Sequence, residues 1–134
     1  VKATPDDVEA ICAGLPRTEK GVSWGDRPTW RVTGGKRKSG FLLYRAPGRT
    51  AIDPATGEPY DDLLVIHVPD ADAKVALVED DGPFFTIEHF DGFNAVLVQL
   101  SRLGEIEREE LVEVITEAWA TDAPKALVKE HLGQ

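Results

Sequence analysis

Residues 83–100, PFFTIEHFDGFNAVLVQL, constrain the fold of this chain more than any other stretch. Gly82 and Pro83 stop a helix, because proline has no backbone N–H with which to continue one. A short aromatic strand containing Phe84 and Phe85 follows. Glu88, His89, Phe90, Asp91 and Gly92 turn the chain, and a second strand at 94–100 alternates its side chains between two faces. Strands joined by so short a turn pair antiparallel. The turn also sets His89 and Asp91 beside each other at the rim of a sheet.

The remaining segments read in the same way. Thr4 caps a first helix, Pro5 suits its first position, and Asp6 and Asp7 lie at the positive end of its dipole. Val8, Ile11, Cys12 and Leu15 give that helix one apolar face, and Gly14 with Pro16 ends it. Gly21, Val22, Ser23, Trp24 and Gly25 read as a loop. Strands are expected at 29–33 and 40–45, joined by a hairpin loop over 34–39 that opens with Gly34 and Gly35. In the first of these, Trp30 and Val32 face the core and Arg31 faces away. Residues 46–61 hold three prolines and two glycines and read as a long loop. A central strand at 63–68 follows, then a helix capped by Asp70 with Ala71, Val75 and Val78 inward. Leu111, Ile115, Ala118 and Trp119 form the buried stripe of a helix over 106–120. Asp122 restarts a short helix that runs to about Leu132.

The resulting order is α-β-β-β-α-β-β-α with a short helix at the C-terminus. Hairpin-linked strands with interspersed helices predict a two-layer α+β domain, an antiparallel sheet of about five strands with helices on one face. At 134 residues the chain is one domain, 1–134, and is too short for two ordinary ones. An apolar fraction of 42% and a charged fraction of 29% are those of a globular protein, not a disordered one. No apolar run approaches the roughly 20 residues that span a bilayer, and no charged-then-apolar leader is visible. One cysteine cannot form an internal disulfide; Cys12 reads as a small core residue, and a cytoplasmic location is expected.

The net charge of −9 argues against a general nucleic-acid binder, yet it is unevenly distributed. Residues 27–49 hold seven bases (Arg27, Arg31, Lys36, Arg37, Lys38, Arg45 and Arg49) and no acid. The rest of the chain holds eight bases against 24 acids, a net of −16.

Three ordered blocks carry a resemblance. Gly21, Val22, Ser23, Trp24 and Gly25, followed by Pro28, Thr29, Trp30, Arg31 and Val32, resemble the opening of the MmcQ/YjbR-like proteins. Pro83, Phe84, Phe85 and Thr86, with His89, Phe90, Asp91, Gly92 and Val96, Leu97, Val98, resemble the centre of that family. Glu117, Ala118 and Trp119, with Ala123, Pro124, Lys125, Ala126 and Leu127, resemble its close. The resemblance covers nearly the whole chain and implies a two-layer fold of the order derived above. It also implies a protein with no established enzymatic activity, often labelled DNA-binding because its sheet is likened to a "double wing". The tip at Lys36, Arg37 and Lys38 and the loop at 46–61 are longer or more charged than the family's usual hairpin. Ala126 stands where the pattern often carries an arginine.

Two candidate sites emerge. Arg31, Lys36, Arg37, Lys38 and Arg45 gather on one hairpin, where they could attract a nucleic-acid backbone or an acidic protein surface. Ion pairs with the 24 acids elsewhere would leave the same residues as a solvated tip. Trp24, His89, Asp91 and Lys125 could instead line a small-ligand or catalytic cleft, Asp91 orienting the imidazole. A turn in which Asp91 and Gly92 reverse the chain and His89 satisfies backbone groups explains the same residues. No nucleophile is linked to that pair, so no catalytic residue is assigned. His67, His89 and His131 show no close ligand spacing, so neither metal nor cofactor is expected. The expected function is a non-enzymatic binding protein. Alternatives are the cleft, or an interaction module using an open sheet edge or the 46–61 loop.

Overall fold

The computed structural model describes residues 1–23, 27–35, 40–45, 57, 63–80, 82–86 and 92–132. Helix α1, Pro5–Gly14, starts as its sequence dictates. The Asp7 amide donates to Thr4 Oγ1 at 3.3 Å, and the Thr4 amide donates to Asp7 Oδ2 at 2.9 Å. That reciprocal pair satisfies donors the first helical turn leaves over. At the other end the Thr18 hydroxyl lies 2.6 Å from the Cys12 carbonyl and 2.9 Å from that of Leu15. Arg17, with φ 57°, turns the chain into the first strand.

Five strands, β1 (Thr18–Ser23), β2 (Arg27–Val32), β3 (Leu42–Arg45), β4 (Leu63–His67) and β5 (Ala95–Gln99), lie side by side in chain order. Every neighbouring pair is antiparallel. The register produces two cross-strand rows on opposite faces. Lys20, Trp30, Leu42, Ile66 and Val96 form one; Gly21, Thr29, Leu43, Val65 and Leu97 form the other. The first row, apart from Lys20, belongs to the main core. Val8, Ile11 and Cys12 of α1 pack there, with Leu111, Ile115, Ala118 and Trp119 of α3 (Arg108–Asp122). Leu63, Val65, Ala95 and Leu97 form a second buried cluster on the opposite face, with Leu43 and Phe85 packed against it. Burial on both faces explains why β4 and β5 are almost continuously apolar.

The α+β class and the five-stranded antiparallel sheet agree with the sequence reading, while several elements differ in detail. Residues 18–23, whose second half reads as a loop in the sequence, form edge strand β1. Its chain of backbone bonds to β2 supplies what its apolar content does not. In the aromatic segment, residues 83–86 are described, and there Phe85 bridges to Leu97 beside β5. Helix α2, Ala71–Glu79, is capped by Asp70 as expected but turned otherwise. Ala71 is exposed and Val75 is half exposed, while Ala73, Leu77 and Val78 pack on the core. Apolar residues nearly all round this helix hid the inward stripe. A 3-10 helix, Leu100–Glu105, leads into α3, whose four expected core residues are all fully buried. Asp122 is the buried last residue of α3, and the C-terminal helix α4, Lys125–Leu132, begins three residues later.

Gly40 fixes the approach to β3. It has φ +84°, and a Cβ there would lie 2.3 Å from the Trp30 carbonyl oxygen and 2.8 Å from Thr29 Oγ1. Gly40→Ala is therefore expected to cost about 2–4 kcal/mol in a urea melt. Gly14→Ala, where an added Cβ meets nothing within 4 Å, should change stability by less than about 1 kcal/mol. Equal midpoints for the two variants would contradict this packing.

Candidate functional site

Adjacent residues of β2 point to opposite sides of the sheet, so Trp30 and Arg31 belong to different surfaces. Arg31 stands across from Glu19 of β1, and its Nε donates to Glu19 Oε1 at 2.9 Å. Its guanidinium also covers Gly21, where a Cβ would lie 2.9 Å from Nη2. The two side chains are 36% and 50% exposed, so water and salt screen the pair. Arg45 ends β3 opposite Leu63; its side chain, together with Lys36, Arg37 and Lys38, lies outside the described residues. Arg31 is thus the one proposed cationic side chain whose environment is described.

Of the expected cleft, Lys125 opens α4 and is exposed. Trp24, His89 and Asp91 lie outside the described residues. His131 meets the Trp119 ring edge-on at 5.1 Å, and the Trp119 indole donates to the Pro16 carbonyl at 3.0 Å. An open depression of about 330 Å³ is lined by Pro69, Glu117, Ala120 and Thr121, none of them an expected site residue. Among the described residues, no cluster of three or more His, Cys, Asp or Glu side chains could hold a metal ion. No described helix is long and apolar enough to cross a membrane. Cys12 is fully buried, and burial pushes its thiol well above its ordinary range.

Among the described residues, one polar cluster was missed by the sequence reading. Glu9, on α1, accepts hydrogen bonds from three successive strands. Lys20 Nζ of β1 donates to Oε1. The Trp30 indole of β2 donates to Oε2 at 2.9 Å, and the Tyr44 hydroxyl of β3 donates to the same oxygen at 2.5 Å. The Lys20 ammonium also lies over the Trp30 and Tyr44 rings, 5.9 and 5.6 Å from their centroids. Those distances are within the reach of a cation–π contact. Partial burial pushes the Glu9 carboxyl up, but hydrogen bonds from Lys20, Tyr44 and Trp30 together outweigh it and hold the group below its ordinary value. Burial, reinforced by its bond to Glu9, raises the Tyr44 phenol above its ordinary value, so it remains a donor into alkaline pH. One signal was legible: Glu9 stands three residues before Cys12 on the helix, a carboxylate on the edge of an apolar stripe. Its partners emerge only once β1, β2 and β3 are paired side by side.

A carboxyl depressed by folding stabilises the protein above its unfolded value, and that contribution is lost as the pH falls through the folded value. The deficit of Glu9→Gln relative to wild type should therefore be largest at about pH 6–7 and shrink toward about pH 3. Urea melts across that range check it. Asp7, Glu105 and Glu107, also held low by hydrogen bonds, continue to titrate in both proteins. A deficit constant with pH would show that the Glu9 charge contributes nothing.

The sequence matches the profile of the YjbR family over residues 13–121. It is 43% identical over 132 residues to "Uncharacterized protein Rv2570" of Mycobacterium tuberculosis, covering 97% of this chain and 96% of the relative. "Uncharacterized protein Mb2600" of Mycobacterium bovis matches with the same identity and coverage. No solved structure matches significantly. With the profile covering most of its length and full-length relatives at this identity, the chain belongs to the YjbR family.

Proposed function

We propose that the protein is a non-enzymatic binding protein that contacts nucleic-acid phosphates through the basic β2–β3 segment. The single observation behind this reading is the charge partition: seven bases and no acid within 27–49, on a chain otherwise at −16. Arg27 and Arg31 belong to β2 and Arg45 to β3, with Lys36, Arg37 and Lys38 between the two strands. Clustered cations release counterions from a phosphate backbone. Pairing with Glu19 does not remove Arg31 from that surface. Both side chains are substantially exposed, a solvent-screened pair of this kind is worth at most about 1 kcal/mol, and a phosphate can replace the carboxylate. The acidic remainder of the chain repels the same phosphates, which places affinity in the non-specific range of about 10⁻⁴–10⁻⁶ M.

Fluorescence anisotropy with a short duplex DNA and a single-stranded RNA, at low and at physiological salt, tests the reading. Wild-type affinity should fall steeply with salt. Replacing Lys36, Arg37 and Lys38 with Ala should weaken binding to every sequence and reduce the logarithmic salt slope by about 3 for duplex DNA. Absent binding at low salt, or a salt slope unchanged in the triple variant, overturns the proposal.

A further inference from the structure

The geometry points to a second binding site, on the opposite face of β2, for an alkylammonium group: a cage of Glu9, Trp30 and Tyr44 that the protein's own Lys20 occupies. A carboxylate flanked by two aromatic faces is the chemistry that recognises a lysine side chain or an amine ligand. Here Lys20 supplies that cation from within, bonded to Glu9 Oε1 and lying over both rings.

Two observations separate a cage with a replaceable occupant from a simple ion pair. First, the walls are organised without Lys20. Trp30 and Tyr44 both donate to Glu9 Oε2, leaving Oε1 to the ammonium, so the carboxylate keeps its orientation when the ammonium leaves. Trp30 is 7% exposed and fixed in the core, so its ring does not move with the occupant. Second, the occupant is the least anchored member. Lys20 sits on edge strand β1 and its side chain is 45% exposed, free to swing into water on a flexible stem. Its departure leaves Glu9 partly buried and without its cation, and a group in that condition favours another cation.

Lys20 therefore acts as a tethered competitor. If it fills the cage about nine-tenths of the time, an external ammonium binds about tenfold more weakly than to the open cage. The site lies on the other face of the same two strands from Arg31, because Trp30 and Arg31 face opposite ways. Success or failure of nucleic-acid binding leaves it untouched.

The test follows the Trp30 indole N–H signal by NMR, assigned through Trp30→Phe, in full-length wild type, Lys20→Ala and Lys20→Met. The probes are n-butylammonium chloride and a capped glycine-lysine-glycine peptide, with potassium chloride as the ionic control. Saturable shifts are expected in both Lys20 variants, with dissociation constants about tenfold below wild type, and their loss when Glu9→Gln is added. Response to butylammonium alone assigns the cage to small amines, whereas tighter binding of the peptide assigns it to a protein lysine. The inference is overturned if folded Lys20 variants show no saturable shift, if potassium chloride reproduces it, or if wild type binds as tightly. Unfolding of both variants overturns it as well, because Lys20 would then be a structural tie and not an occupant.

Discussion

One carboxylate gathers donors from three neighbouring strands onto a single helix. Glu9 projects from α1 and takes a donor from each of β1, β2 and β3. A half-buried carboxylate is costly unless its lone pairs are filled, and here hydrogen bonds from Lys20, Tyr44 and Trp30 together outweigh the cost of desolvation. The arrangement sets how α1 crosses the sheet. Val8, Ile11 and Cys12 then meet the row formed by Trp30, Leu42 and Ile66, and α3 closes the core beside them.

The strict alternation of β2 divides the molecule's chemistry. Trp30 joins the core and the Glu9 cluster; its neighbour Arg31 joins a solvated surface with Glu19. Nothing about a two-layer α+β sheet by itself decides which of these surfaces serves the cell, since function resides in sites and not in folds. Arg31 and Lys20 illustrate how differently two cations on neighbouring strands can be held. Arg31 lies flat over a glycine in reach of solvent, while Lys20 reaches over two aromatic rings toward a partly buried acid.

Legibility in the sequence follows physical strength. The α3 stripe, the apolar runs of β4 and β5 and the Thr4–Pro5 cap are strong local signals, and each marks an element that is present. Strand β1 was not legible, because Thr18, Glu19, Lys20 and Gly21 lack a strand's usual side chains and depend on β2 for partners. The face of α2 was ambiguous for the opposite reason, an excess of apolar residues. Arg31 could be assigned to the outer face, but its partner Glu19 required the β1–β2 register. Glu9 required four elements at once. An acceptor at position 9 with donors at 20, 30 and 44 leaves no motif in the chain, only a carboxylate at helical spacing from a buried cysteine.

The central claim, that Glu9 couples α1 to the sheet through its charge-assisted bonds, is tested most directly by a double-mutant cycle. Glu9→Gln, Tyr44→Phe and the pair are compared by urea denaturation at neutral pH. Loss of either partner should cost most of what losing both costs, a coupling of about 1–2 kcal/mol. Strictly additive effects would contradict it, showing that Glu9 and Tyr44 contribute to stability independently.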